Sequence, residues 1–173
     1  MIVPCRRATI PPTAARVSRV VCFEVDAEVI EAVGHSPASR PLFEDPKIEL
    51  RNEDVARAIL AIADASFDRV FHDPPRLAMA GELYSLALYR ELFRVMKPGA
   101  RLFHYTGAPG EKAGKRVVAG VMRRLQDAGF EGVGHRAEAQ GVAAVRPRRA
   151  HEWGRARPPA RGRPRRGRTR PGR

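Results

Sequence analysis

The residues best suited to chemistry are Asp73, Pro74 and Pro75, which end the apolar run Ser66-Phe67-Asp68-Arg69-Val70-Phe71-His72. Neither proline carries an N–H and both fix φ, so the backbone after Asp73 cannot continue a helix or a central strand. A carboxylate and backbone carbonyls are thereby offered at a strand's C-terminal end. In open α/β sheets ligands bind at that end, and acceptor-only oxygens there suit an amine or an adenine-like group. The plainer reading of the same residues is a proline turn leaving a strand. Two further acids stand in comparable places: Glu24 after Val20-Val21-Cys22-Phe23, and Asp54 after Lys47-Ile48-Glu49-Leu50-Arg51-Asn52.

The elements that must position these acids read as an alternating series. Strands are predicted over 20–26, 47–52, 66–73 and 101–106 from their alternation and β-favouring residues. Apolar spacing of three and four predicts helices over 27–33, 55–63, 81–96 and 114–130. Lys97-Pro98-Gly99 is predicted to close the third of these, with a cation near its C-terminal dipole, a proline and a turn glycine. Residues 35–46 read as a proline-punctuated connection, and 106–113 as a loop at the same edge as Asp73. Strands joined by helices need crossover connections, so the fold class is α/β, with a mainly parallel sheet and helices on both faces. One domain is expected over residues 17–145, after an irregular segment over 1–16.

With Phe23-Glu24-Val25-Asp26, Asn52-Glu53-Asp54, Phe71-His72-Asp73-Pro74-Pro75 and Arg94-Val95-Met96-Lys97-Pro98-Gly99 in hand, the chain resembles the class I S-adenosylmethionine (SAM)-dependent methyltransferases. His72-Asp73-Pro74-Pro75-Arg76, Gly81-Glu82-Leu83-Tyr84-Ser85 and Phe103-His104-Tyr105-Thr106-Gly107 resemble more narrowly the archaeal-type methyltransferases related to spermidine synthases. The likeness implies an incomplete Rossmann-like sheet with SAM as cofactor. It implies that Glu24 accepts from the ribose hydroxyls, that Asp54 meets the adenine amino group, and that Asp73 lies nearest the transferred methyl. Asp73, Pro74 and Pro75 would be the catalytic residues, and Glu24, Asp54 and Asp73 the cofactor-binding ones. His72 and His104 fall near the same edge, where a lone strand histidine is more often a structural hydrogen-bonder than a catalyst. Tyr84 and Tyr105 suit either a substrate pocket or the core.

One departure is large. Such folds carry a glycine-rich turn after the first strand so that backbone N–H groups approach the ligand closely, yet residues 1–33 contain no glycine. Three prolines interrupt residues 1–13 instead, and the first βα unit is expected to be missing through N-terminal truncation or a shifted reading frame. The other end is equally unusual. Residues 146–173 hold twelve arginines and one acid, Glu152, and supply +11 of the formal +13. This Arg/Pro/Gly stretch cannot bury enough apolar surface to offset chain entropy and is expected to be a disordered tail. It is suited to non-specific contact with nucleic-acid phosphates, or is an adventitious extension.

The rest of the composition mainly excludes. Two cysteines, Cys5 and Cys22, are too few and too far apart for a disulfide framework or a zinc site, and no metal is expected. No apolar run approaches the roughly 20 residues of a membrane span and no secretory h-region is seen, so a cytoplasmic location is expected. The function expected is methyl transfer to an amino or other nucleophilic group of a small molecule or nucleic acid. An aminopropyltransferase resembling spermidine synthase, and a non-catalytic remnant or nucleic-acid-binding protein, are the alternatives.

Overall fold

The computed structural model describes residues 2–4, 17–107 and 111–148. Seven strands form one sheet: β1 Ile2–Pro4, β2 Val20–Phe23, β3 Ile48–Arg51, β4 Phe67–His72, β5 Met96–Tyr105, β6 Glu131–Arg136 and β7 Gly141–Val145. Their order across the sheet is β3-β2-β1-β4-β5-β7-β6. The pairs among β1 to β5 are parallel, and β7 is antiparallel to both β5 and β6. The chain therefore steps one way from β1 to β3 and the other way from β4 to β5. A sheet whose strand order reverses opens a crevice outside the strand ends at the reversal, here between β1 and β4.

Both faces of the sheet are covered, as the sequence predicts. All four β2 residues are buried. Val21 and Phe23 join the large core with Val70, Leu102 and Val142, packed by α4 (Leu86–Val95) and α5 (Glu111–Asp127). Val20 and Cys22 face the other way, into a small core with Leu42 of α2 (Arg40–Glu44) and Val33 of α1 (Ala27–Gly34). This period of two, with both faces apolar, is what a covered parallel strand requires. Ser85 opens α4 by accepting the Leu88 N–H at 3.1 Å, so a strand-to-helix break falls where a capping side chain can satisfy it.

Several expectations are corrected. Ile2–Pro4, expected to be irregular, is β1: it pairs with β2 from Ile2↔Val21 to Pro4↔Phe23 and meets β4 at Ile2↔Val70. The central strand is thus present, and the residues that follow it, 5–16, lie outside the described residues. Three residues, the last a proline, show no period, and partners on both sides supply what local pattern lacks. The 81–96 helix begins as a 3-10 turn, Gly81–Tyr84, and breaks at Ser85. It ends at Val95, because Met96 turns extended (φ −84°, ψ 143°) to pair with Phe67. Lys97-Pro98-Gly99 consequently lies inside β5 at a register break, with Gly99 at φ +82° and its N–H on the Arg146 carbonyl at 2.8 Å. The 55–63 helix is an α-turn, α3 (Val55–Ala58), followed by a 3-10 turn (Ile59–Ala61), and the 35–46 connection contains a 3-10 turn at Pro37–Ser39 and then α2.

The β6–β7 hairpin had no sequence prediction, since glycines at 132, 134 and 141 and alanines at 143 and 144 blur the alternation. Gly141 shows why. It faces Tyr105 in register, and a Cβ there would lie 2.5 Å from the His104 carbonyl oxygen and run into the Phe103 ring. Gly141→Ala is expected to cost about 1–3 kcal/mol by overpacking, read as a lower urea midpoint with an unchanged slope. Arg146 extends the fold beyond β7. Its N–H donates to the Ala100 carbonyl at 2.9 Å, and its guanidinium bonds the Met96 and Arg94 carbonyls and lies 4.7 Å from the Phe93 ring centre. The rest of the expected tail, from residue 149, lies outside the described residues. Among the described residues no helix is long and apolar enough to cross a membrane.

Candidate active site

Because β2, β3 and β4 run parallel, the acids that follow them share one edge of the sheet. Glu24 comes directly after β2, Asp54 just after β3 and Asp73 directly after β4, with the end of β1 between the first and the last. The edge is built by local hydrogen bonds rather than by burial alone. Glu24 donates its N–H to the Arg51 carbonyl at 3.0 Å, which carries the β2–β3 pairing one residue further. Asn52 Nδ2 then ties the same ends together, donating to the carbonyls of Glu24 at 2.9 Å and Val25 at 3.1 Å.

Glu24 is only 7 % exposed, and one of its oxygens accepts the Asp26 N–H at 3.1 Å, which fixes the carboxylate's direction. A carboxylate held this way has further acceptor positions suited to vicinal hydroxyls. Beside it Val25 is 69 % exposed. An apolar side chain kept in the open next to a fixed carboxylate offers a surface to a flat ring. Neither Val25 nor Asn52 was singled out from the sequence, although a valine set between two acids beyond a strand is a visible signal.

Asp54 is differently employed. Its Oδ1 accepts the Ala56 N–H at 2.9 Å and caps α3, while Oδ2 stands 3.9 Å from Arg57 Nε. This is the ordinary chemistry of an N-cap aspartate, and it leaves the residue at the edge with its carboxylate already engaged.

Asp73 is half-buried and Pro74 buried. The Tyr84 hydroxyl donates to the Pro75 carbonyl at 2.9 Å. Burial first, and the Asp73 carboxylate second, raise the Tyr84 pKa above its ordinary value, so the phenol keeps its proton and remains a donor. Below this loop lie the two histidines. His72 Nε2 donates to the Leu83 carbonyl at 2.8 Å, and His104 Nε2 shares a hydrogen bond of 2.9 Å with the Tyr89 hydroxyl. Their rings are 4.7 Å apart. Burial lowers the His72 pKa to about 4, the bond to Leu83 only partly opposing it. Burial, and then His72, hold His104 well below the usual imidazole range. Both are neutral, buried groups held by hydrogen bonds to Leu83 and Tyr89, as structural histidines are. Of the two tyrosines, Tyr84 is core and loop support together, while Tyr105 is half-buried and donates to Gln140 Oε1 at 2.9 Å. The loop expected over 106–113 is described only at Thr106 and Gly107 and from Glu111, where α5 starts.

The donor and acceptor set fits one part of a SAM molecule in particular. The fixed Glu24 carboxylate suits the ribose diol and Val25 the base.

A model of the family described as S-adenosyl-L-methionine-dependent methyltransferase matches residues 32–141. An uncharacterized protein of Methanocaldococcus jannaschii is 46 % identical over 134 residues, which cover 77 % of this chain and 46 % of that protein. Among solved structures, a spermidine synthase in complex with the transition-state analogue AdoDATO is similar, with TM-score 0.68 and 18 % identity, over 85 % of this chain and 53 % of that one. An S-adenosylmethionine-dependent methyltransferase from Mesorhizobium loti gives TM-score 0.56 and 15 % identity, over 84 % and 89 %. At such identities the structural likeness concerns the fold. The chain spans about half the length of the Methanocaldococcus protein and of the spermidine synthase. With the family match extending through β3, β4, β5 and the Asp73-Pro74-Pro75 step, the chain belongs to the S-adenosyl-L-methionine-dependent methyltransferases.

Proposed function

We propose that the chain transfers a methyl group from SAM to the nitrogen, or another nucleophilic atom, of an acceptor held at Asp73. The observation that carries this reading is the placement of the Glu24 and Asp73 carboxylates on either side of β1 at one sheet edge, where the strand order reverses. The cofactor supplies a methyl group already activated by its sulfonium, so the protein's task is positioning. Glu24 accepts from the ribose hydroxyls and Val25 lies against the base. Asp54 marks the adenine side, its carboxylate shared with the α3 cap.

On the other side, the Asp73 carboxylate and the carbonyls of Pro74 and Pro75 accept the N–H groups of an amine. Holding its hydrogens in this way leaves the nitrogen lone pair free to point elsewhere. The proton lost from nitrogen after transfer passes to Asp73 or to water. Arg76, exposed three residues beyond Asp73, favours a neutral or anionic acceptor over a polyamine cation and so disfavours aminopropyl transfer. The arginines after residue 148 would add salt-dependent affinity for a nucleic-acid acceptor, with a cytoplasmic setting part of the same proposal.

Glu24→Gln tests the cofactor half. It keeps an acceptor for the Asp26 N–H but removes the charge, so SAM affinity measured by calorimetry should fall by about 2 kcal/mol, roughly 30-fold. Equal affinity in wild type and variant would contradict the assignment.

A further inference from the structure

We infer that Tyr84 is the positioning residue of the acceptor loop: its hydroxyl fixes the Pro75 carbonyl and thereby sets where the Asp73 carboxylate and the Pro74 carbonyl point. The inference rests on the methyl-transfer reading and adds to it a residue outside the rim of acids.

The reason begins with the two prolines. Neither Pro74 nor Pro75 has an N–H, so the backbone between Asp73 and Arg76 cannot be held by donating into the sheet or a turn. Only its carbonyls can be gripped, and a grip requires a donor brought from another element. Tyr84 supplies one at 2.9 Å. The side chain is 3 % exposed, with its ring centre 5.0 Å from that of His104, so the hydroxyl is delivered from a packed position.

The turn that carries Tyr84 is itself anchored at consecutive residues. His72, the last residue of β4, donates to the Leu83 carbonyl at 2.8 Å. Arg124 of α5 donates through Nε to the Tyr84 carbonyl at 2.8 Å and through a terminal nitrogen to the Gly120 carbonyl at 2.9 Å. Gly120 makes room for that guanidinium, since a Cβ there would stand 2.8 Å from it. A continuous support thus runs from α5 through Arg124 and Tyr84 to Pro75. A tyrosine serving only as core filling would need neither the hydroxyl nor this chain of bonds.

The test compares the full wild-type chain with Tyr84→Phe, which removes one oxygen, and Arg124→Gln, which acts on the loop only through the Tyr84 turn. Three signals are read by NMR and calorimetry: the carbon shift of the Pro75 carbonyl, the proton shift of the methyl in bound 13C-methyl SAM, and SAM affinity. In Tyr84→Phe the Pro75 carbon should move upfield and the bound methyl should shift, while SAM affinity stays as in wild type. Arg124→Gln should move the methyl in the same direction by less. Unchanged Pro75 and methyl signals in Tyr84→Phe, with SAM still bound, overturn the inference. Should that variant fail to fold, an unmoved methyl in Arg124→Gln overturns it instead. A wild-type chain that takes up no SAM overturns the methyl-transfer reading alone; the Pro75 signal, read without SAM, then decides whether Tyr84 fixes the loop, and an unmoved Pro75 signal in Tyr84→Phe overturns the inference.

Discussion

Asp73→Ala is expected to lower the rate of methyl transfer by about a hundredfold, the loss associated with misplacing a reacting group by roughly 1 Å. The measurement is single-turnover formation of S-adenosylhomocysteine with an amine acceptor. The loss should appear in the rate and not in SAM affinity, because the proposed ribose contacts are those of Glu24, across β1. Asp73→Asn separates two roles. An asparagine oxygen still accepts an N–H, so a positioning role predicts a loss of only about tenfold, near 1.4 kcal/mol. A required base predicts that both variants fall together and that the acidic limb of the pH–rate profile disappears.

The second large effect concerns stability and comes from the buried histidines under the loop. In the unfolded chain His72 takes up a proton near its ordinary pKa of 6.5, whereas in the fold it resists until about pH 4. Between these values the unfolded state binds more protons, so stability falls as pH falls. It is fully present above pH 6.5. A shift of this size amounts to about 3 kcal/mol for His72 by pH 4, and His104 shifts in the same direction. The rings of Tyr84 and Tyr89 lie against the pair, and both phenols are raised by burial and stay neutral throughout this window. Glu49, lowered by its hydrogen bonds from Arg19 and Arg51, loses its contribution only below its ordinary 4.5, at the acid end. Urea unfolding should give a level stability from pH 8 to 7 and a marked decline by pH 5, when only a few kcal/mol separate folded from unfolded chains. His72→Gln, which keeps a donor for the Leu83 carbonyl, should remove about half of the slope. A profile that stays level to pH 5 would contradict the neutral, buried assignment.

Much of this arrangement could be read from the chain because its determinants are local. Val20-Val21-Cys22-Phe23 before Glu24, and Phe67 to His72 before Asp73, are strands by alternation and burial, and parallel crossovers bring their C-terminal ends to one edge. The end of β4 at Asp73 needed no more than two prolines after an acid. What escaped depends on distant partners. β1 is three residues long and exists because β2 and β4 hold it from both sides. Lys97-Pro98-Gly99 has the composition of a helix stop, yet the need of Met96 to pair with Phe67 ends the helix earlier. Asn52 bonds 27 and 28 residues back along the chain, and Tyr84 reaches the loop nine residues before it, so neither contact leaves a periodic trace. Asp54 shows the converse. Its local signature as a helix cap was legible, and the structure engages its carboxylate there.

The most direct test of the account is to locate bound SAM by intermolecular NOEs in the full-length chain, using Val25 methyls and the ring protons of Pro74 and Pro75 as reporters. The account predicts NOEs from the ribose and base to Val25, and from the sulfonium methyl to the prolines. Contacts confined to the opposite edge of the sheet, or a methyl remote from Pro74 and Pro75, would contradict it.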